Sequence, residues 1–278
     1  MNKIFLILIL LISTSLLNAT NIKSIQDEFY KNVVKQNLKN NTPKKDYKKR
    51  LRLHRLNTKI NSKYIKRLEI KVKYMLLEKK INENEFISVV DLKKQLFILL
   101  LKNKNKLTII GVDLISSGEM NKEVEVILGE DHYFKTPAGV YSIKLGWRSD
   151  GTFKKDNVTL RYGLKDRFIY YIGMVDTIRY NTFTKDKTKL YKKEQWQLLS
   201  DKVNLAMHSY TESSRLGVKD SHGCIRISNE LNAFLDKNNV LYKNFYKQNN
   251  WKLKHSKKPK ISKNKNLAGE YLIIFDKI

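Results

Sequence analysis

Cysteine is almost absent, with one residue among 278, and it is accompanied by only five histidines and three prolines. A single thiol excludes an intramolecular disulfide framework and any multi-cysteine metal cluster. Long hydrophobic runs are missing too: the unbroken apolar stretch Ile4–Ile12 falls well short of the ~20 residues that span a bilayer. Negative charge is scarce, with 27 Asp and Glu against 55 Lys and Arg, a net +28. The shortage is local. Residues 20–80 carry a net +14, residues 81–236 only +4, and residues 237–265 hold 10 basic side chains and no acidic one. Two positive flanks enclose a nearly balanced middle, and the flanks are expected to be attracted to anionic surfaces. What is present is core material. The 41% hydrophobic and 10% aromatic content excludes wholesale disorder and collagen-like repeats.

Lys3 stands ahead of the apolar run, and Ser13, Thr14 and Ser15 lead on to the small residue Ala19. This is the layout of an export signal. Residues 1–19 are read as that signal, cleaved after Ala19, with no cysteine nearby for lipid attachment. An exported chain carries its lone thiol into oxidising surroundings, so the thiol needs a chemical reason.

Residues 20–84 read as a basic helical extension. Residues 22–80 have no glycine and one proline, Pro43, while Ile60, Tyr64, Ile65, Leu68, Val72, Met75 and Leu76 recur at helical spacing. One or two amphipathic helices are expected, as a solvated extension or linker, with a binding arm as the other reading. From Glu85 the pattern changes to short β-rich runs over 86–90, 95–101, 107–115 and 123–128. Further runs cover 140–145, after the turn Thr136-Pro137-Ala138-Gly139, then 203–207 and 271–275. Ser228 to Lys237 reads as a helix with Ser228 as its N-cap. Residues 146–200, rich in Tyr, Lys, Asp and Thr without periodicity, are long enough for a lid insertion. Residues 242–266 read as a basic mobile segment. The expectation is a mainly β domain over 85–278 with a few helices, preceded by the basic helical extension.

The one cysteine lies in Asp220-Ser221-His222-Gly223-Cys224-Ile225-Arg226-Ile227. A free thiol titrates near 8.5, so a nucleophilic cysteine needs a base beside it, and histidine is the usual one. Of His54, His132, His208, His222 and His255, two lie close to Cys224 along the chain, and His208 ends a strand-like run. Gly223 permits a tight turn whose amides could line an oxyanion hole. Blander readings stay open at this point. One is an inert buried thiol beside hydrogen-bonded imidazoles. Another is a metal site from His208, His222 and Cys224, for which no fourth ligand is evident.

His208, Gly217 and Ser221-His222-Gly223-Cys224-Ile225-Arg226 resemble the signature of bacterial L,D-transpeptidase catalytic domains (YkuD-type). That signature is a histidine, a spacer of about a dozen residues, then Ser/Thr-His-Gly-Cys. Upstream, Val89-Val90-Asp91-Leu92 through Lys94-Gln95-Leu96-Phe97 is similar to the family's opening hairpin. Ser117-Gly118 and then Thr136-Pro137-Ala138-Gly139-Val140-Tyr141 resemble its glycine and Thr-Pro-x-Gly-x-Phe segment, with Tyr141 as the aromatic. The likeness runs in order over residues 85–276. It implies a β-sandwich-like fold with a few helices, Cys224 as the acyl-accepting nucleophile and His208 as proton donor and acceptor. Ser209, where many members have glycine, is implied to orient His208 through its main-chain carbonyl, and Gly223 to lend backbone to the oxyanion hole. His222, Ser221 and Arg226 are implied on the substrate-binding side, with a structural ion pair as the other reading of Arg226.

The activity implied is that of an exported peptidoglycan L,D-transpeptidase, on the periplasmic or cell-wall side of a bacterial envelope, acting on stem tetrapeptides in cross-linking or cell-shape remodelling. Two alternatives remain: an L,D-carboxypeptidase trimming tetrapeptide to tripeptide, and a non-catalytic basic envelope-binding protein. No metal or cofactor is required. The expected partners are peptidoglycan stem peptides, with anionic envelope polymers on the basic flanks. Nucleic acid is not expected, and membrane contact only if the signal stays uncleaved.

Overall fold

The computed structural model describes residues 22–40, 58–77, 83–104, 106–122, 125–126, 130–154, 160–186, 188–248 and 261–278, with a few single positions between them. The expected signal at 1–19, His54 and His255 lie outside the described residues. Strands β1 (Asn84–Asp91), β2 (Leu96–Asn103) and β3 (Lys106–Ser116) form an antiparallel meander. In β2 the run Leu96 to Leu101 is buried without a polar alternate, which requires cover on both faces of the sheet. Phe97, Leu99 and Leu101 join one core cluster with Phe86 and Val90 of β1, while Leu96, Ile98 and Leu100 join a second with Ile87 and Val89.

Of the strand expected over 123–128, the described part is β4 (Glu125–Val126), which pairs with β5 (Glu130–Asp131) in a small separate ribbon. The remaining strands are β6 (Gly139–Ser142), β7 (Leu145–Arg148), β8 (Phe168–Asn181), β9 (Gln197–Tyr210), β10 (Ile225–Ser228) and β11 (Tyr271–Phe275). With the meander they complete one curled nine-stranded sheet in the order β6-β11-β1-β2-β3-β10-β9-β8-β7. The fold is mainly β with a few helices, as expected.

The basic N-terminal flank supplies the cover that β2 demands. Helix α1 occupies 22–40, with a π-helical turn at Tyr30–Val34, and places Ile25, Phe29 and Val33 in the first cluster. Helix α2 (Ser62–Met75) places Tyr64, Leu68 and Val72 in the second. Each trio recurs every four residues, which makes one apolar stripe per helix. Polar groups fix the docking. Asn37 Nδ2 donates to both Asp113 carboxylate oxygens at 3.1 and 3.2 Å, and Tyr64 Oη donates to Asp91 Oδ2 at 2.8 Å. The solvated-extension reading is therefore corrected for these two helices: Lys31, Lys35, Lys63, Lys66 and Lys71 are exposed, but the apolar stripes belong to the core around the sheet.

Phe29 is 1% exposed, packs edge-on against Phe234 at 5.0 Å, and fills the space left by Gly111. Phe29→Ala is expected to cost about 3–5 kcal/mol of unfolding free energy in a urea titration. Tyr30→Ala, at a side chain 63% exposed, should stay within about 0.5 kcal/mol of wild type. Equal effects would mean that α1 does not dock on the sheet.

Two further expectations change. Much of 146–200, which shows no periodicity in the sequence, is the ribbon of β8 and β9, paired from Tyr170–Met207 to Asn181–Gln197; of the 149–167 connection before it, residues 149–154 and 160–167 are described. Within the segment 242–266, Tyr242 and Phe245 are buried and α4 (Lys243–Gln248) packs on the sheet, so this part is not a mobile tail. Asn244 Nδ2 donates to Ile143 O at 3.0 Å, and Lys243 pairs with buried Glu85. Helix α3 (Asn229–Lys237) starts where expected, with Ser228 Oγ accepting from Leu231 N at 3.1 Å.

Candidate active site

The second half of β9, Leu205 to Tyr210, is buried throughout and carries His208. β10 pairs with it in parallel, Ile225 beside Met207 and Arg226 beside His208. Cys224 therefore sits one residue before β10, on the strand next to the one bearing His208. The turn that delivers it is bonded on several sides. Asp220 N and Ser221 N both donate to Ser117 O, at 2.9 and 3.0 Å. Ser221 Oγ accepts from Gly223 N at 3.1 Å and donates to Cys224 O at 2.5 Å. Thr136, from the Thr-Pro-Ala-Gly segment, donates its hydroxyl to Gly223 O at 2.6 Å and accepts from Gly118 N at 2.8 Å. Gly223 has φ +134°, a conformation that disfavours a side chain. Its amide, expected on the oxyanion side, donates to Ser221 Oγ within the turn.

His208 is 4% exposed, and its Nδ1 lies 2.8 Å from Ser209 O. A carbonyl only accepts, so Nδ1 carries the proton and Nε2 keeps its lone pair. Burial holds the imidazole down, to about 4; the Ser209 carbonyl opposes this, and the positive charges of Arg226 and Lys154 add to it. Cys224 is half-buried, with Sγ 3.7 Å from Asn204 O. Burial pushes its thiol up from the ordinary value, against the backbone hydrogen bond from Ala206 and the charges of Arg226 and Lys154. Both members of the pair are thus neutral in the resting state near pH 7, a thiol and a basic imidazole rather than an ion pair.

Arg226 is 7% exposed and fully engaged. It donates to Asp220 O at 3.0 Å, lies 3.6 Å from the Asp220 carboxylate, and stacks over Tyr210 at 4.5 Å. Asp220 also pairs with Lys122 and Arg215. Of the two readings of Arg226, the geometry carries the structural ion pair; a side chain so placed is not presented to a substrate carboxylate. The His222 ring stacks on Tyr133 at 4.1 Å and 18°, away from the role of base. No three His, Cys, Asp or Glu side chains among the described residues group closely enough to hold a metal ion.

The sequence reading passed over one side of the site. The Tyr162 ring meets His208 edge-on at 5.3 Å and Trp147 at 6.0 Å, and Trp147 meets Tyr171 at 5.7 Å. Tyr171 Oη donates to Asn204 Oδ1 at 2.9 Å, which returns to the residue beside Cys224 Sγ. This aromatic wall comes from β7, β8 and the 149–167 connection. The tyrosine enrichment of 146–200 was its only trace in the sequence, because nothing local says which strand those rings will face.

No curated protein matches the chain. Among solved structures it is similar to an L,D-transpeptidase from Xylanimonas cellulosilytica, with 16% identity, 70% of this chain and 63% of that one covered, and a TM-score of 0.31. It is also similar to an L,D-transpeptidase from Mycobacterium smegmatis, with 13% identity, 69% and 59% covered, and a TM-score of 0.31. A third is the helical cell shape determining protein Pgp2 from Campylobacter jejuni, with 16% identity, 76% and 57% covered, and a TM-score of 0.32. The matched parts span under two thirds of these chains, and with TM-scores this low the assignment rests on the sequence match. The family model for the L,D-transpeptidase catalytic domain (YkuD) matches residues 85–240, more than half of the sequence and the whole of the His208–Cys224 site, and the chain belongs to that family.

Proposed function

We propose that the protein is an exported peptidoglycan L,D-transpeptidase working through a Cys224 thioester. The observation that carries this reading is the hydrogen bond from His208 Nδ1 to Ser209 O at 2.8 Å, which leaves Nε2 as a base on the strand beside Cys224. In acylation, Cys224 Sγ attacks the carbonyl joining the L-centre of the diamino acid to D-Ala in a stem tetrapeptide. The thiol proton passes to His208 Nε2 and from there to the departing D-Ala nitrogen as the C–N bond breaks. In deacylation, an amine of a second stem attacks the thioester, gives its proton to His208, and the sulfur leaves to recover that proton. Ser209 orients the base, the Ser221–Gly223 turn holds the nucleophile, and the wall of Tyr162, Trp147 and Tyr171 lines the approach. Residues 1–19 direct the chain out of the cytoplasm. The basic flanks, residues 20–80 and 237–265, attract anionic envelope polymers.

Incubating the protein with purified tetrapeptide muropeptides and reading products by mass spectrometry tests the reaction. Dimers with an L,D cross-link are expected. Tripeptide alone would assign water as the acceptor and make the enzyme an L,D-carboxypeptidase, and unchanged tetrapeptide would overturn the reading.

A further inference from the structure

β8 pairs with β9 only as far as Tyr170–Met207. Ser209 lies two residues beyond that last pair, and against it comes the described 160–167 part of the connection before β8. Its residue there is Gly163, buried and at φ +81°. A Cβ added to Gly163 would lie 2.0 Å from Ser209 Oγ, 2.6 Å from Ser209 O and 2.8 Å from its carbonyl carbon. These distances are far inside contact, so the Gly163 backbone lies directly against the peptide group that receives the His208 proton.

The neighbours of Gly163 hold it in that place. Ser149 Oγ donates to Gly163 O at 3.1 Å and accepts from Gly151 N at 3.2 Å. Ser149 N donates to Arg167 O, and Asp166 N to Ser149 O, both at 2.8 Å, which closes the base of the connection. Ser209 Oγ reaches Tyr162 O at 3.4 Å, and the Tyr162 ring stands edge-on to His208. One short segment thus touches both the imidazole and the carbonyl that sets its tautomer.

We propose that Gly163 is a positioning residue for the catalytic base. Its bare backbone fixes the Ser209 carbonyl toward His208 Nδ1 and so keeps the lone pair on Nε2. Any side chain at 163 must displace Ser209, and a displaced carbonyl no longer selects the Nδ1–H tautomer. The inference rests on His208 being the base of the reaction proposed above.

Gly163→Ala tests it, with Gly173→Ala as the control. Gly173 lies in β8 at φ +130°, outside the hydrogen bonds that hold Gly163, and a Cβ there meets no atom within 4 Å. Both variants therefore carry a positive-φ penalty, and only one pushes on the base. Nitrogen NMR of the histidine rings, with His208 identified as the signal lost in His208→Gln, reads the tautomer without any substrate. In Gly163→Ala the Nδ1–H form of His208 should be lost and kcat on muropeptides should fall by about 10²-fold at unchanged KM, the scale of a small misplacement of a catalytic group. Gly173→Ala should keep both tautomer and kcat. Retention of the Nδ1–H form in folded Gly163→Ala, or equal losses in both variants, would overturn the proposal. Should Gly163→Ala be recovered unfolded, Ser149→Ala removes the hydrogen bond to Gly163 O and so loosens Gly163 against Ser209 without adding atoms. It should show a smaller fall in kcat of the same kind, and an unchanged tautomer and kcat in it would overturn the proposal as well. A tautomer change in a protein whose wild type leaves muropeptides untouched supports this inference and overturns the reaction instead.

Discussion

Cys224→Ser is expected to abolish muropeptide turnover, by about 10⁴–10⁶-fold, the range seen when a nucleophile is removed from an intact site. The size follows from the state of the pair. His208 is held down to about 4 by burial, so it is a weak base, adequate to receive a proton from a thiol but poorly matched to a hydroxyl, which binds its proton far more tightly. Oxygen for sulfur at a half-buried position changes little else, so the melting curve should stay where it is. Intact-mass measurement with a carbapenem, an acylating agent for this family, should show an adduct on wild type and none on the variant. Turnover by Cys224→Ser at the wild-type rate would end the thioester mechanism.

His208→Gln carries the second large effect. Removing the group that moves the proton should lower kcat by about 10²–10⁴-fold and leave the fold in place. The pH dependence tests the state of the imidazole, and thiolate absorbance separates a neutral pair from an imidazolium–thiolate pair. With His208 neutral down to about 4, the acid limb of kcat/KM should fall near that value and not near 6.5, where an unperturbed histidine titrates. The free protein should likewise show no thiolate absorbance near pH 7, since burial raises the Cys224 thiol. An acid limb near 6.5 would mean that the essential base titrates as an ordinary histidine and that burial does not hold His208 down.

The same group makes a stability prediction whose sign is fixed. Its folded value of about 4 lies below the unfolded value of 6.5, so between the two the unfolded chain binds more protons. Stability from this group is present above 6.5 and is lost as pH falls toward 4, by roughly 3 kcal/mol in all. Asp113 acts in the opposite sense. Burial pushes its carboxyl up to about 6, against hydrogen bonds from Ser228, Leu114 and Asn37, so its folded form gains over the unfolded one as pH falls through that range. Wild type alone therefore shows a muted curve. The difference between wild type and His208→Gln, followed by urea titration from pH 7 to 4, isolates the histidine contribution.

The sequence by itself singled out Cys224 and His208 as the candidate nucleophile and base. One cysteine in a small polar turn, and one histidine at the end of an apolar run, need no tertiary information to be singled out. The Ser228 cap, the meander from β1 to β3 and the closing strand β11 were equally legible, because each is set by a pattern within about ten residues. What the tertiary structure decided is everything that depends on which face meets which. The stripe of Tyr64, Leu68 and Val72 was legible as a helix face while that of Ile25, Phe29 and Val33 was not, and only the two-sided burial of β2 shows where both of them go. β8 escaped notice because its far half is only partly buried, which leaves no strict alternation to read. Arg226 could be read as a substrate ligand until its neighbours Asp220 and Tyr210 were in place around it. Gly163 carried no signal at all. Its role exists only because β8 stops pairing before Ser209 and a distant loop closes on the exposed peptide, and contacts between segments 46 residues apart are set by the packing of the whole sheet rather than by any local preference.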